Sequence, residues 1–150
     1  VVVTGSAAPE VQAALQELPV LVVHNPVWQE GQSSSLKAGL AALPAESGGA
    51  MFLLADQPQI STELVRGLVE LHAQTLSPLV APLVNQRRGN PVLFDRCTFA
   101  DLNGLSGDVG GRALFSRHSA VWLPWHDPDQ ALDVDTEQDY ARLLEMGGDQ

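Results

Sequence analysis

Short apolar runs alternate along the chain with longer stretches in which apolar residues recur at helical spacing. The runs lack polar alternation, which is typical of strands buried on both faces. We predict strands at residues 1–4, 20–24, 50–55, 79–84, 91–94, 120–123 and 131–134. The periodic stretches predict helices at 9–18, 33–43, 61–71, 96–102 and 112–118, and a last helix from 136. Alternating strands and amphipathic helices favour an α/β fold whose mostly parallel sheet carries helices on both faces.

Polar residues at the starts of the predicted helices suggest how each helix begins. Ser33 or Ser34 is placed to cap the second helix, and Ser61 the third. Thr136 with Asp139 fits a capping box for the last helix. The spacing in this helix predicts three inward-facing residues, Tyr140, Leu143 and Leu144.

Ligands of parallel sheets bind beyond the carboxyl ends of the strands, so residues that follow strands are the first candidates for chemistry. Asp56 follows the apolar run at 50–55, and Pro58 stiffens the turn behind it. A carboxylate there can hold Mg²⁺ through one or two oxygens and leave the other positions to water and phosphate. An ordinary turn aspartate is an equally good interpretation of this residue taken alone.

A second acidic candidate lies near the end of the chain, where Asp133 and Asp135 point to one side of an extended segment. The last 25 residues hold eight acids and one Arg. Charge of that density repels itself, and a bound cation would relieve the repulsion.

Three further segments have the composition of ligand-binding loops. The segment 86–91 begins with a predicted polar turn at 86–89 that holds Arg87 and Arg88, and two Arg in a tight turn suit either a phosphate or a plain surface hairpin. Glycines at 107–111 permit close backbone approach and are followed by Arg112, a cation that the start of a helix disfavours unless an anion is present. Small polar residues at 25–40 suit a base or ribose edge, or an ordinary capped loop.

Composition narrows the class of protein. A chain of 150 residues with 45% hydrophobic residues is long enough for one domain with a real core. Its 18 acids against 8 Lys and Arg give a net charge of −10, which disfavours nucleic acid and anionic membranes as partners. No apolar run approaches the roughly 20 residues of a membrane helix, and we expect a cytoplasmic protein. The single cysteine, Cys97, excludes an internal disulfide and a multi-cysteine zinc site.

Taken in order, the segments VVVTG, HNPVWQEGQSSSLKAGL, LLADQP, RRGNPVLF, GDVGGRALF and DVDTEQDY resemble one family. They are similar to the molybdenum cofactor cytidylyltransferase group of the MobA-like nucleotidyltransferase superfamily. The resemblance implies a Rossmann-like three-layer sandwich. It also implies a Mg²⁺-dependent transfer of a cytidylyl group from CTP to the terminal phosphate of molybdopterin, with release of pyrophosphate.

The resemblance also implies roles for particular residues. Asp56 and Asp135 match the two catalytic, metal-binding carboxylates of the family, and Asp133 is a further metal candidate. The residues that match substrate-binding positions are Gly31 and Ser35 near the base and ribose, and Arg88, Gly89, Asn90, Pro91, Gly107, Asp108 and Arg112 near the acceptor. Many members have His where this chain has Asn90.

The family begins with a strand and a glycine-rich loop that cradles the triphosphate, and the resemblance here starts at the second strand. We therefore expect residues 1–150 to form one domain without that loop, one that binds nucleotide poorly as given. Other interpretations are a transferase for GTP or another acceptor, an NAD(P)H-dependent oxidoreductase, and a non-catalytic carrier that delivers molybdenum cofactor to a molybdenum hydroxylase.

Overall fold

The structure, a computed structural model, describes residues 1–127 and 133–147. The strands are β1 (Val2–Thr4), β2 (Val22–His24), β3 (Gly49–Phe52), β4 (Leu79–Val84), β5 (Arg87–Arg88), β6 (Val92–Asp95) and β7 (Ala120–Trp125). The α-helices are α1 (Ala8–Ala14), α2 (Gln32–Ala41), α3 (Thr62–Thr75), α4 (Phe99–Asn103) and α5 (Glu137–Gly147). Short 3₁₀ helices cover Trp28–Glu30, Arg96–Thr98 and Gly111–Ser116.

The chain divides into two compact units. The first consists of Val1–Ala50 and Asp95–His118, and the second of Met51–Phe94 and the described residues from Ser119 onward. Each unit therefore contains one long stretch of chain and a later return segment.

In the first unit, β1 and β2 pair in parallel, with Val2 opposite Val22. Helix α2 packs against β1 and α4. Buried leucines of these helices, of the loop after α4 and of the 3₁₀ segment that follows supply most of the core of this unit: Leu36, Leu40, Leu102, Leu105 and Leu114. Burying apolar surface of this kind is the main stabilising contribution to such a unit.

The second unit is built around β4. Strand β7 pairs with β4 in parallel along its whole length, whereas β5 and β6 pair with β4 in antiparallel fashion. The core cluster joins α3 to the sheet and consists of Leu64, Leu68, Val80 and Leu93. Ser61 caps α3 as predicted, since its hydroxyl accepts a hydrogen bond from the Leu64 amide at 3.1 Å.

The alternation of strands and helices confirms a mixed α/β fold, but the prediction of a mostly parallel sheet was wrong. The chain reverses after β4 through Asn85 and Gln86, whose φ values of 50° and 62° are those of a tight hairpin turn. Parallel pairing needs a crossover of about a dozen residues, and the link from β4 to β6 is shorter. Arg87 and Arg88, predicted to lie in the turn, instead form β5.

Several predicted element boundaries also need correction. Strand β3 ends at Phe52, so Asp56 lies in a turn beyond the strand and not at its end. Helix α2 begins after Gly31 without a side-chain cap, so neither Ser33 nor Ser34 caps it. In the strand predicted at 131–134, residues 131 and 132 lie outside the described residues, and 133–134 are not in a strand. The helix predicted at 112–118 is the 3₁₀ segment Gly111–Ser116.

Helix α5 begins as predicted but does not pack as predicted. Tyr140 is 55% exposed and Leu144 is 60% exposed, so these two side chains do not face inward. A periodic pattern shows which residues share a face of a helix, and it does not show whether another element covers that face. Within the described part of the chain, no helix is long and apolar enough to cross a bilayer.

Candidate functional site

In the second unit, the turn that carries Asp56 lies against the extended segment that carries Asp133 and Asp135. The Val134 amide donates to the Asp56 carbonyl oxygen at 2.8 Å. The side-chain amide of Gln57 donates through Nε2 to Oδ1 of Asp133 at 2.6 Å. One backbone bond and one side-chain bond therefore bring together the two segments that hold the predicted metal carboxylates.

The chemistry of this donor set suits a hard divalent cation. Asp56, Asp133 and Asp135 are all exposed, so their carboxylate oxygens are accessible to a ligand. Among the residues that the structure describes, no group of three or more His, Cys, Asp and Glu side chains is assembled to hold a metal ion. Mg²⁺ is commonly bound through one or two carboxylates together with water and substrate phosphates, which fits residues arranged in this way.

The start of α5 follows directly from the acidic segment and is fixed by the predicted capping box. The Thr136 amide and hydroxyl both donate to Oδ2 of Asp139, at 2.9 and 2.6 Å, and the Asp139 amide donates to Oγ1 of Thr136 at 3.2 Å. The Thr136 hydroxyl bond is the largest influence on Asp139 and, with nearby backbone amides and Arg142, lowers the pKa of its carboxyl group. Asp139 is therefore held at the start of its own helix, and Asp135 contributes its backbone amide to this arrangement.

The segment from Arg88 to Pro91 belongs to the antiparallel arm of the same unit. The Gly89 amide donates to the Pro82 carbonyl oxygen at 2.9 Å, and a Cβ at Gly89 would lie 3.2 Å from Cγ of Pro82. Arg88 is exposed, Pro91 is buried, and the Asn90–Pro91 peptide bond is cis. Pairing with β4 and the bond from Gly89 thus hold this arm in place.

In the first unit, the loop before α2 and the glycine-rich loop after α4 meet at Gly31. A Cβ at Gly31 would lie 2.5 Å from the carbonyl carbon of Gly107 and 2.6 Å from the Asp108 amide nitrogen. The Ser33 amide donates to the Gly107 carbonyl oxygen at 3.2 Å, and the Gln32 amide donates to Oδ1 of Asp108 at 3.3 Å. The structure therefore brings together three residues that the sequence placed near substrate, Gly31, Gly107 and Asp108.

Asp108 supplies the side-chain oxygen at the start of α2 that Ser33 or Ser34 was predicted to supply. Its carboxylate faces the first amide of α2, where negative charge is stabilised by the helix dipole. Arg112 follows this loop as an exposed residue in the first turn of a 3₁₀ helix.

The residue that sequence reasoning left without a role in this unit is Asn25. Its side chain is 2% exposed and donates through Nδ2 to the hydroxyl oxygens of Ser34 and Ser35, at 2.8 and 3.0 Å. The sequence feature that could have indicated this role is an asparagine that directly follows a predicted strand and precedes a run of serines. In the second unit, Gln57 was missed in the same way, although it is the neighbour of Asp56.

Cys97 is exposed, unlike the buried or half-buried thiol that its residue type suggests. Local desolvation and the neighbouring Asp95 raise the pKa of its thiol. A raised pKa keeps the sulfur protonated at neutral pH, which is the opposite of what an activated nucleophile needs.

The fold is a mixed α/β fold. One unit holds carboxylates on two adjacent loops, and the other holds a glycine-rich loop against the start of a helix. The chain belongs to the MobA-like NTP transferase domain family, whose model matches residues 1–121. It is 31% identical over 118 residues to the purine catabolism protein PucB of Bacillus subtilis. That match covers 75% of this chain and 55% of PucB, so the chain spans about half the length of this relative.

Solved structures resemble the chain over most of its length. Rv0371c from Mycobacterium tuberculosis H37Rv superposes with a TM-score of 0.78 at 31% identity, covering 95% of this chain and 74% of Rv0371c. Its manganese complex superposes with a TM-score of 0.75 at 32% identity, covering 95% of this chain and 75% of the other. Molybdopterin-guanine dinucleotide biosynthesis protein A from Archaeoglobus fulgidus has a TM-score of 0.70 at 12% identity, over 99% of this chain and 79% of that protein, and shares the fold.

Proposed function

We propose that the protein is a Mg²⁺-dependent nucleotidyltransferase that transfers the cytidylyl group of CTP to molybdopterin and releases pyrophosphate. Membership of the MobA-like NTP transferase family supports a nucleoside triphosphate as substrate. The observation that carries the proposal is the pair of hydrogen bonds between the Asp56 turn and residues 133–134. These bonds bring together two acidic segments that lie more than 70 positions apart in the sequence, and this supports a shared cation.

In this proposal the reaction is an in-line displacement at the α-phosphorus of CTP. An oxygen of the terminal molybdopterin phosphate forms the new bond to phosphorus, and the bond from phosphorus to the β-phosphate oxygen breaks. The attacking phosphate oxygen is already anionic at neutral pH, so the protein needs no strong general base. Its residues contribute by positioning two anions that repel each other.

Asp56 and Asp135 are the proposed catalytic residues and would hold the cation, with Asp133 as a further carboxylate. A bound Mg²⁺ neutralises charge on the phosphates and on the leaving pyrophosphate. The manganese complex of Rv0371c supports a divalent cation in this family. Gln57 occupies one oxygen of Asp133, so we assign Asp133 mainly to holding its segment in place and Asp135 to the cation.

The remaining candidate residues are proposed to bind the two substrates. Gly31 and Ser35 would lie beside the base and ribose, where the loop before α2 is held by Gly107 and Asp108. Gly107, Asp108 and Arg112 of the first unit are proposed acceptor-binding residues. Arg88, Gly89, Asn90 and Pro91 of the second unit are proposed for the acceptor as well, on their match to the family's acceptor segment. Arg88 and Arg112 are exposed residues, and guanidinium groups suit the terminal phosphate of molybdopterin. The cytoplasmic location stays a prediction that belongs with this proposal.

Release of pyrophosphate from CTP, with molybdopterin and Mg²⁺ present, tests the proposal in the full-length protein. Asp56→Asn is expected to lower the rate by at least about 10²-fold, or roughly 2.7 kcal/mol of transition-state stabilisation. Glu70→Gln makes the same charge change at an exposed position of α3 and serves as the matched control. Near-normal turnover by Asp56→Asn would refute the assignment of Asp56. Cofactor binding without pyrophosphate release would favour a carrier, and NADPH binding without Mg²⁺ dependence would favour an oxidoreductase.

A further inference from the structure

Asn25 is a buried polar residue that directly follows β2, and its side chain is hydrogen-bonded to residues between it and the first turn of α2. Its backbone amide donates to the Thr4 carbonyl oxygen at 2.9 Å, which extends the pairing of β1 with β2 by one residue. Its side-chain oxygen Oδ1 accepts from the Val27 amide at 3.1 Å. Leaving a polar side chain of this kind unpaired would be costly, so the loop is built around its amide.

The Val27 contact fixes which way the Asn25 amide points. A backbone N–H can only donate, so the atom that faces Val27 must be the acceptor Oδ1. The Nδ2 group therefore faces the serines and donates to Oγ of Ser34 and of Ser35.

This orientation determines what the two serine hydroxyls do next. Because each Oγ accepts from Asn25, each hydroxyl keeps its own hydrogen available for donation. Ser34 donates to the Gly31 carbonyl oxygen at 2.8 Å, and the Val27 carbonyl oxygen lies 3.1 Å away. Ser35 is half-buried, and within residues 1–127 and 133–147 its hydroxyl has only the contact with Asn25. The Ser35 hydroxyl therefore has a hydrogen to donate and no acceptor for it in the described part of the chain.

We infer that Asn25 is a positioning residue that sets the Ser35 hydroxyl as a hydrogen-bond donor to an acceptor oxygen or ring nitrogen of the bound nucleotide. This inference rests on the proposed function and adds to it the polarity of the nucleotide atom that Ser35 meets. The group recognised is a hydrogen-bond acceptor on the nucleotide, which takes the hydrogen that the Ser35 hydroxyl keeps when it accepts from Asn25. Ser34 holds Gly31 in place, and Ser35 faces the ligand.

Isosteric substitution of Asn25 separates polarity from packing. Asn25→Asp keeps the size of the side chain but presents a carboxylate oxygen to both hydroxyls, so that Ser34 and Ser35 must donate to it. Ser35→Ala removes the donor, and Ser35→Thr retains it. Titration of CTP with Mg²⁺ into the full-length protein is expected to show about tenfold weaker binding for Asn25→Asp and for Ser35→Ala, and binding within about twofold of wild type for Ser35→Thr.

The double variant distinguishes a positioning role from a general loss of structure. If Asn25 acts through Ser35, Asn25→Asp has an effect of no more than about twofold when Ser35 is already Ala. A change in charge or a loosened loop would instead weaken binding by the same factor in both backgrounds, and that result would overturn the inference. Ser35→Ala leaves the Asn25 contacts to Val27 and Ser34 in place, so it keeps the test valid if Asn25→Asp does not fold.

A nucleotide panel identifies the source of the acceptor atom. A loss with Ser35→Ala that is equal for CTP and GTP places the acceptor on the ribose or phosphates, and a loss confined to CTP places it on the base. Either result supports the inference. Unchanged CTP binding by Ser35→Ala overturns it while leaving the proposed function intact, whereas wild-type protein that binds neither nucleotide overturns both.

Discussion

Gln57 and Asp133 lie 76 positions apart in the sequence and are joined by a 2.6 Å hydrogen bond from Nε2 to Oδ1. The residues beside them, Asp56 and Val134, are joined through the backbone at 2.8 Å. The two bonds together align the turn after β3 with the segment before α5. The relative position of the predicted metal carboxylates therefore depends on a neutral side chain that would not itself bind a cation.

Loss of this tie is expected to weaken metal binding without removing any proposed ligand. Gln57→Leu has no donor for Asp133, so the segment that carries Asp135 is less well positioned. Loss of a residue that holds a metal-binding segment in place typically weakens metal affinity by about 10- to 100-fold. Because this site is exposed, we expect a loss of about tenfold for Gln57→Leu. Titration of Mn²⁺, monitored by electron paramagnetic resonance of the free ion, measures the change. Gln59→Leu is the matched control, and equal affinities for the two variants would contradict the positioning role.

Three glycines form a graded series that tests the contact between the two loops of the first unit. Gly31 has a φ of +102° and no room for a Cβ, Gly107 has a φ of +66° in open space, and Gly48 has neither constraint. We expect Gly31→Ala to lower the free energy of unfolding by roughly 3 kcal/mol or more, from backbone strain and overpacking. Gly107→Ala is expected to cost about 1–2 kcal/mol, and Gly48→Ala less than about 0.5 kcal/mol.

Urea unfolding of the three alanine variants gives these differences directly. If Gly31→Ala were no more destabilising than Gly107→Ala, the close approach of Gly31 to the 107–108 backbone would be wrong. The comparison is made within one unit of the chain, so it does not depend on any ligand.

The capping box at the start of α5 predicts a specific pH dependence. The folded-state pKa of Asp139 is lower than its ordinary value, mainly because the Thr136 hydroxyl donates to the ionised carboxylate. The ordinary pKa of an Asp carboxyl group is about 4. Because the folded-state pKa of Asp139 is lower, the capping box stabilises the helix fully at pH values above this ordinary pKa. The stabilisation is lost as the pH falls through the lowered pKa.

Carbon-detected NMR titration of the Asp139 carboxyl group measures this effect at one site. Thr136→Val removes the hydroxyl donor and is expected to raise the pKa of Asp139 towards its ordinary value. Thr62→Val, a substitution at the start of α3, should leave that pKa unchanged. A pKa of Asp139 that is the same in wild type and in Thr136→Val would contradict the assigned cause.

The parts of the fold that sequence predicted well are those decided by neighbouring residues. The start of α3 and its Ser61 cap depend on neighbouring residues, and both are as predicted. The hairpin after β4 is also local, but Asn85 and Gln86 are not the Asn-Gly or Asp-Gly pair that most clearly marks such a turn. The direction of the strands that follow could therefore not be inferred from apolar pattern alone.

The parts that sequence could not predict depend on partners far along the chain. Asp108 accepts from the Gln32 amide at the start of α2, and Asp133 accepts from the Gln57 side chain. The two residues of each pair are 76 positions apart in the sequence. No window of sequence shows such a pair. The roles assigned to Asp56, Asp135, Arg88 and Arg112 stay predictions, because they concern contacts with substrate and metal and not contacts within the chain.

Calorimetric titration of CTP, and then of GTP, into the full-length protein with and without Mg²⁺ tests the central claim most directly. A nucleotidyltransferase specific for CTP is expected to bind CTP more tightly than GTP, and to do so only when Mg²⁺ is present. Tighter binding of GTP than of CTP would support a nucleotidyltransferase whose substrate is GTP, and would contradict the assignment of CTP. Absence of binding to either nucleotide in the presence of Mg²⁺ would contradict the account.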